Sequence, residues 1–305
     1  MKRIIPLLRS MVMATVLLVL PCRAQQEPMR ELVSRTFAGT QVINAQSVEV
    51  VPRKRSFGFL IQHRFGAFGP NQQALKQFLG LDLPANIRFA FQYAPMNGMH
   101  LELGRSKNGK VVDLGVKARL WRQTVEKGMP VSVTAGANVA LLSEDFPAVG
   151  DRDFFADGTT PFSYAFKHRL AYNAQVIVAR RFSEHFALQL APVFIHRNLV
   201  PVGGTNSTLA MPVSGRLKVS TKGSVLFEVA PVLHGRQQAD HREPVALAFE
   251  LATAGHVFQV LLASSPEILE YRNYTMPQAR YDEAYLHLGF NIARTLFVKP
   301  RKPRP

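Results

Sequence analysis

Residues Ala85 to Tyr93 read ANIRFAFQY, and this stretch restricts the chain more than any other. On an extended strand Ile87, Phe89, Phe91 and Tyr93 share one face, while Asn86, Arg88, Ala90 and Gln92 share the other. That is the period-2 split of a strand with one oily and one wet side. The split recurs about twelve times along the chain, from Phe57–Phe65 to Ala284–Phe297. Tight-turn signals separate many of the repeats, among them Lys107-Asn108-Gly109, Ser183-Glu184, Thr221-Lys222-Gly223 and Thr253-Ala254-Gly255.

Alternation alone fits a soluble sandwich as well as a membrane barrel, and two further features favour the barrel. Most links alternate between short turns and longer polar segments, such as 143–166 and 265–283, the parity of barrels with short periplasmic turns and long outer loops; the turn after the third strand is short for an outer loop and the link after the fourth long for a periplasmic one. The wet face also carries ions. Arg64, Arg88, Glu102, Asp113, Lys117, Arg119, Arg169, Arg216, Lys218, Glu228 and Glu250 all fall on the side opposite the apolar residues. In a dry sandwich core each unpaired ion would cost several kcal/mol, whereas a watered lumen tolerates them. The expected fold is therefore all-β, a closed antiparallel transmembrane β-barrel of about 12 strands.

The domain plan follows from the ends of the chain. Lys2 and Arg3 precede an apolar run, Met11 to Leu20, and Cys22-Arg23-Ala24 supplies a cleavage site, so residues 1–24 read as a signal peptide. A lipidated Cys22 is the alternative, and Pro21 before it is out of character for such a signal. Residues 25–55 form an N-terminal periplasmic leader or a plug tucked into the barrel mouth. Residues 56–298 form the barrel, and 299–305 a basic, Pro-rich tail. The predicted location is the bacterial outer membrane.

Composition excludes several classes of function. The formal net charge of +16 includes Lys2, Arg3, Arg9 and Arg23 of the signal, and a basic excess survives their removal. An exported chain without a nucleic-acid module points away from nucleic acid. The lone cysteine belongs to the signal, which leaves no disulfide, thiolate metal site or haem attachment. No cofactor is expected. Neither a GxSxG elbow nor an HExxH helix occurs.

Thr36–Glu49 (TFAGTQVINAQSVE), Ile61–Phe68 (IQHRFGAF), Phe78–Ala94, Leu101–Gln123 and Met129–Thr134 resemble a family of membrane-bound β-barrel domains of unknown function from Gram-negative bacteria. The resemblance implies an outer-membrane barrel and supplies no catalytic or binding residues. Most such barrels finish on an aromatic residue; here Phe297 is followed by VKPRKPRP.

Three functions are compatible with these readings. The first is a channel or passive transporter for small, anionic solutes, because the inward cations outnumber the inward carboxylates and a positive lumen concentrates anions. Its counterpart is a barrel whose ions pair and plug it. The second is a non-conducting scaffold, with Arg53, Lys54, Arg55 and the tail holding an acidic periplasmic partner or lipid headgroups. The third is a membrane-embedded hydrolase. Histidines offer little: His63-Arg64 and His196-Arg197 suit a girdle, and His234, Asp240 and His241 match no standard metal spacing.

Overall fold

The computed structural model describes residues 31–69, 73–126, 128–150, 153–236, 242–276 and 285–297. The signal segment 1–24, the loop pair Asp240 and His241, and the tail beyond Phe297 lie outside the described residues.

Twelve antiparallel strands close into one barrel. In chain order they are β1 (Phe57–Phe68), β2 (Asn86–Met96), β3 (Met99–Ser106), β4 (Val111–Trp121), β5 (Ser132–Leu142) and β6 (Leu170–Arg181). The next three are each interrupted once: β7 (Phe186–Leu190 and Val193–Arg197), β8 (Ser207–Ala210 and Val213–Lys218) and β9 (Gly223–Val229 and Val232–His234). The set ends with β10 (Val245–Ala252), β11 (His256–Ala263) and β12 (Leu286–Leu296). Each strand pairs with its neighbours in sequence, and β1 closes the ring on β12 with Phe57 opposite Leu296 and Gln62 opposite Asn291. Closure leaves no sheet edge, the condition lipid imposes on any spanning sheet.

Prolines cause the interruptions. Pro192, Pro212 and Pro231 sit in β7, β8 and β9, and Pro244 immediately precedes β10. Each still accepts through its carbonyl: Val176 N–H donates to Pro192 (3.2 Å), Ala191 to Pro212 (3.0 Å), Met211 to Pro231 (2.9 Å) and Ala230 to Pro244 (3.0 Å). None can donate in return. The side-chain alternation runs through all three breaks without a phase change, so Leu190 and Phe194 stay outside while Gln189 and Val193 stay buried.

The outer wall is apolar. Phe91, Leu103, Leu114, Val176, Phe194, Leu247 and Val260 are exposed around the ring, a surface that only lipid covers at acceptable cost. This arrangement rules out the sandwich, in which those residues would meet one another in a closed interior.

Connections sort by rim. The proximal rim holds the entry to β1, the end of β12, and the links 97–98, 122–131, 182–185, 219–222 and 253–255. The distal rim holds 69–85, 107–110, 143–169, 198–206, 235–244 and 264–285. In the first distal link α1 spans Gln73–Lys76, and Phe78 and Leu79 take positive φ before Gly80 at +83°. In the last, a second short helix, α2 (Glu270–Thr275), turns into the barrel.

Candidate functional site: a lumen closed by two inserts

The interior is occupied from both ends. From the proximal rim, residues 36–51 form a finger. Val33 N–H bonds Gln123 O (3.0 Å) on the way in, and Arg55 N–H bonds Ala94 O (2.7 Å) on the way out. Its tip is a tight loop in which Val42 N–H reaches Ala45 O (2.9 Å) and Ser47 N–H reaches Thr40 O (3.0 Å). Phe37, Val42, Ile43 and Val48 pack against Ile177, Ala179, Ala191, Leu226, Ala246, Ala248 and Ala263 of the wall. The alanines leave the room that the finger fills, and burial of its apolar side chains contributes about 1.5–3 kcal/mol each.

A buried loop must satisfy its own backbone, and here wall side chains do so. Glu228 Oε2 accepts from the N–H groups of Asn44 (3.1 Å) and Ala45 (2.9 Å). Gln189 accepts from Val48 N–H (2.8 Å) and donates to Gln46 O (2.8 Å). Gln259 donates to Val42 O (2.7 Å), Asn291 to Ile43 O (3.0 Å) and Thr134 to Val48 O (2.6 Å), while His100 Nδ1 accepts from Val51 N–H (3.2 Å). Lys117 Nζ donates to Thr40 O (2.7 Å), Ser47 O (2.8 Å) and Gln46 Oε1 (3.1 Å).

The second insert comes from the distal rim. Residues 264–276 carry α2 inward, and Leu269, Tyr271 and Tyr274 pack on Val111, Val193, Ile195, Ala230 and Val232. Glu267 holds Arg272 through two bonds of 2.7 and 3.0 Å. Glu270 meets the finger: its Oε1 accepts from Gln46 N–H (2.9 Å), and its Oε2 from Gln175 (2.7 Å) and Asn173 (3.1 Å). This seat is less well satisfied than the finger's. The buried side-chain amide of Asn273 and the Tyr274 hydroxyl have no partner among the described residues. Between the two inserts and the β2–β6 wall remains a polar cavity of about 40 Å³, room for a water or two.

Of the inward ions anticipated from sequence, Arg64, Arg88, Glu102, Asp113, Lys117, Glu228 and Glu250 are buried against this filled interior. Arg88 is their centre. Its Nη2 lies 2.7 Å from Glu102 Oε1 and 2.6 Å from Asp113 Oδ2, and its Nη1 donates to Gln62 (3.0 Å). All three charged groups are at most 5% exposed, a buried triad whose rupture leaves carboxylates without their cation. Gly104 makes space for it, since a Cβ there would overlap both Arg88 and Asp113. Arg64 donates to Asn44 (2.8 Å) and Asn291 (2.9 Å) and so fastens the finger tip to β12. Arg119 pairs with Glu49 of the finger at 2.9 Å. Glu250 accepts from Gln259 (3.0 Å), and Arg216 is half-buried with its Nε unpartnered among the described residues. Lys218 lies at the proximal end of β8. Arg169 stands apart from the rest: it precedes β6 at the distal rim, donates to Leu142 O (3.1 Å) and Glu144 O (2.6 Å), and stacks on Phe146.

Several participants were not singled out by sequence: Gln46, Asn44, Glu49, Gln189, Gln259 and Glu270. A signal was present in the run 36–52, which between Arg35 and Arg53 carries only Glu49 as a charge. The small inward residues of β7, β8 and β10 were a second sign of something to accommodate.

Two histidines bear on hydrolysis. His63 stacks on Phe290 and faces Ile87 and Phe290 across the strands, with no hydroxyl opposite. His196 Nδ1 lies 3.1 Å from Ser207 Oγ on the lipid side of the distal rim, but no acceptor among the described residues orients its Nε2. An activated nucleophile needs that third group. Arg53 stacks on Phe297, which places the basic cluster beside the end of β12.

The profile of a family described as a membrane bound beta barrel domain (DUF5777) matches residues 37–296. No curated protein matches the chain in sequence. Among solved structures, an outer membrane channel from Pseudomonas putida F1 aligns over 82% of this chain and 98% of its own, at 12% identity and a TM-score of 0.47. The NanC porin aligns over 80% and 100%, at 8% identity and 0.45. The outer membrane phospholipase A from Escherichia coli aligns over 86% and 98%, at 7% identity and 0.41. Likeness at this level carries no functional inference.

Proposed function

The chain belongs to this family of membrane-bound β-barrel domains, and we propose that it acts in the outer membrane as a gated channel for small, preferentially anionic solutes, closed at rest by its two inserts. The observation that supports this reading is that each insert returns to the rim from which it came. The finger is tied at both ends to the proximal rim, through Gln123 and Ala94, and the α2 segment joins β11 to β12 at the distal rim. Either can leave the lumen without unthreading the chain or opening the wall.

The chemistry of the seat agrees. The finger is held largely by polar side chains that water can satisfy equally well once it withdraws. A permanently dry wall would gain stability from apolar replacements of its ions. Withdrawal also changes the lumen's charge: Arg119 loses Glu49, and Lys117 and Arg64 lose their finger acceptors. Those freed cations would draw anions. In this reading an export signal precedes the barrel, and the proximal rim faces the periplasm.

The closed lumen favours a second reading, a non-conducting scaffold whose basic proximal rim holds an acidic envelope component. Planar-bilayer recording on the intact chain and on a variant lacking 36–51 separates them. The channel reading expects rare openings from the first and frequent anion-preferring openings from the second. Silence or cation preference in the shortened variant would overturn it.

A further inference from the structure

A second cavity lies at the distal mouth, away from the finger, with a volume of about 370 Å³. Three loops that are far apart in sequence build it. The 143–169 link contributes Phe162 and Tyr164, the 198–206 link Leu199 and Val200, and the α2 segment Tyr271 and Met276. The aromatic side is itself ordered: Phe162 meets Tyr164 edge-on at 4.8 Å, and Tyr164 stacks on Phe146 at 4.0 Å. The volume falls in the range of small-molecule sites, about 300–1,000 Å³, and the walls are mostly apolar, as such sites are.

Against this apolar lining stand two cations, Arg197 and Arg169, with no carboxylate partner among the described residues. Arg197 ends β7 opposite Ala171 and points inward; the one hydrogen bond of its guanidinium among the described residues is a long contact to Thr275 Oγ1, 3.4 Å. Arg169 also lines the cavity, and among the described residues it is held by the carbonyls of Leu142 and Glu144 and by the face of Phe146. Arg272 also borders the cavity but is satisfied by Glu267. A guanidinium left without an anion beside a concave apolar surface suits a ligand with one acidic head and one apolar body.

We propose that this cavity binds an organic carboxylate carrying an aromatic or short acyl body, with the carboxylate on Arg197, Arg169 beside it, and the body against Phe162, Leu199 and Val200. The site stands whether or not the barrel conducts. Because Tyr271 and Met276 belong to the α2 segment, a bound ligand touches the distal insert directly.

The test uses the full chain in lipid nanodiscs, titrated calorimetrically with 2-naphthoate, with empty nanodiscs to subtract partition into lipid. The expected result is a saturable, single-site isotherm present only with protein. The uncharged 2-naphthamide should bind at least about tenfold more weakly, as should 2-naphthoate to R197Q, the factor for loss of one charge-assisted bond. Folding of each variant is checked by the heat-dependent gel shift of the barrel. Should R197Q fail to fold, L199W serves instead, because it fills the cavity from a surface loop and leaves β7 intact; it should abolish binding. An isotherm identical to that of empty discs, equal binding of acid and amide, or undiminished binding to folded R197Q or L199W overturns the proposal.

Discussion

The backbone N–H of Gln46 donates to Glu270 Oε1 at 2.9 Å, joining the tip of a segment that enters through one mouth of the barrel to a helix that enters through the other. Glu270 is thereby the acceptor for three donors, one from the finger and two, Asn173 and Gln175, from β6. Removing it in E270A strands all three. Each buried group left unsatisfied costs about 1–3 kcal/mol, so the insert contact should open at least about tenfold more often. Amide exchange in the peptide spanning 40–48 should accelerate by that factor while strand amides of β1–β4 keep their protection. Unchanged exchange at 40–48 would show that the two inserts do not support one another.

Arg88 makes a different kind of prediction. R88Q leaves Glu102 and Asp113 buried and close together without their cation, a loss of about 3–5 kcal/mol. The triple replacement R88Q/E102Q/D113N removes the charges together and should recover most of that loss. Thermal unfolding in detergent, read by circular dichroism, gives the comparison; a triple variant as unstable as R88Q alone would show that the triad's charges are not the cause. G104A should resemble R88Q, because its methyl overlaps the same two side chains.

K117M separates the finger from the wall. The lysine's three acceptors, Thr40 O, Ser47 O and Gln46 Oε1, all belong to the finger, so the substitution should leave barrel melting near that of the parent and expose residues 36–51 to protease from the proximal side. Equal protease resistance in the two proteins contradicts the lysine's role as the fastening.

The distal loop carries a titrating turn. Asp157 accepts from Thr160 Oγ1 (2.5 Å), Thr160 N–H (2.9 Å) and Thr159 N–H (3.0 Å), bonds that hold its carboxyl down at about 2. A depressed acid contributes order above its unfolded pKa, near 3.8, and loses it as pH falls through the folded value. The amide resonances of Thr159 and Thr160 should therefore stay flat above pH 4 and move with a midpoint near 2. A midpoint near 4 would mean that the turn does not hold the carboxylate.

Trp121, the chain's single tryptophan, ends β4 at the proximal rim and is 53% exposed. An indole there belongs at the headgroup boundary. Lipids brominated near the carboxyl end of the acyl chain should quench its fluorescence more strongly than lipids brominated near the methyl end; the reverse order would move this rim out of the interface.

Much of the wall was legible in sequence because lipid on one side imposes a strict phase. Ile87, Phe89 and Phe91 declare their face by chemistry alone, and the phase survives Pro192, Pro212 and Pro231, so those strands read correctly despite their broken ladders. The inward position of Arg88, Glu102 and Asp113 follows from the same rule. What period 2 does not encode is the content of the lumen. Residues 36–51 have no ladder of their own; their order comes from wall side chains as distant in sequence as Asn291, and such bonds leave no periodic trace. Glu270 was hidden for the same reason, in a link that reads as an ordinary polar loop.

The aligned prolines have a mechanical meaning. Hydrogen bonds running around the circumference act as hoops, and along the diagonal from Pro192 to Pro244 each hoop is missing a strand of its binding, since the imide nitrogen cannot donate. The girth therefore has slack across β7–β9. A lateral squeeze from the bilayer is thus taken up as ovalisation in that sector, beside the alanine bed on which Ile43 and Val48 rest.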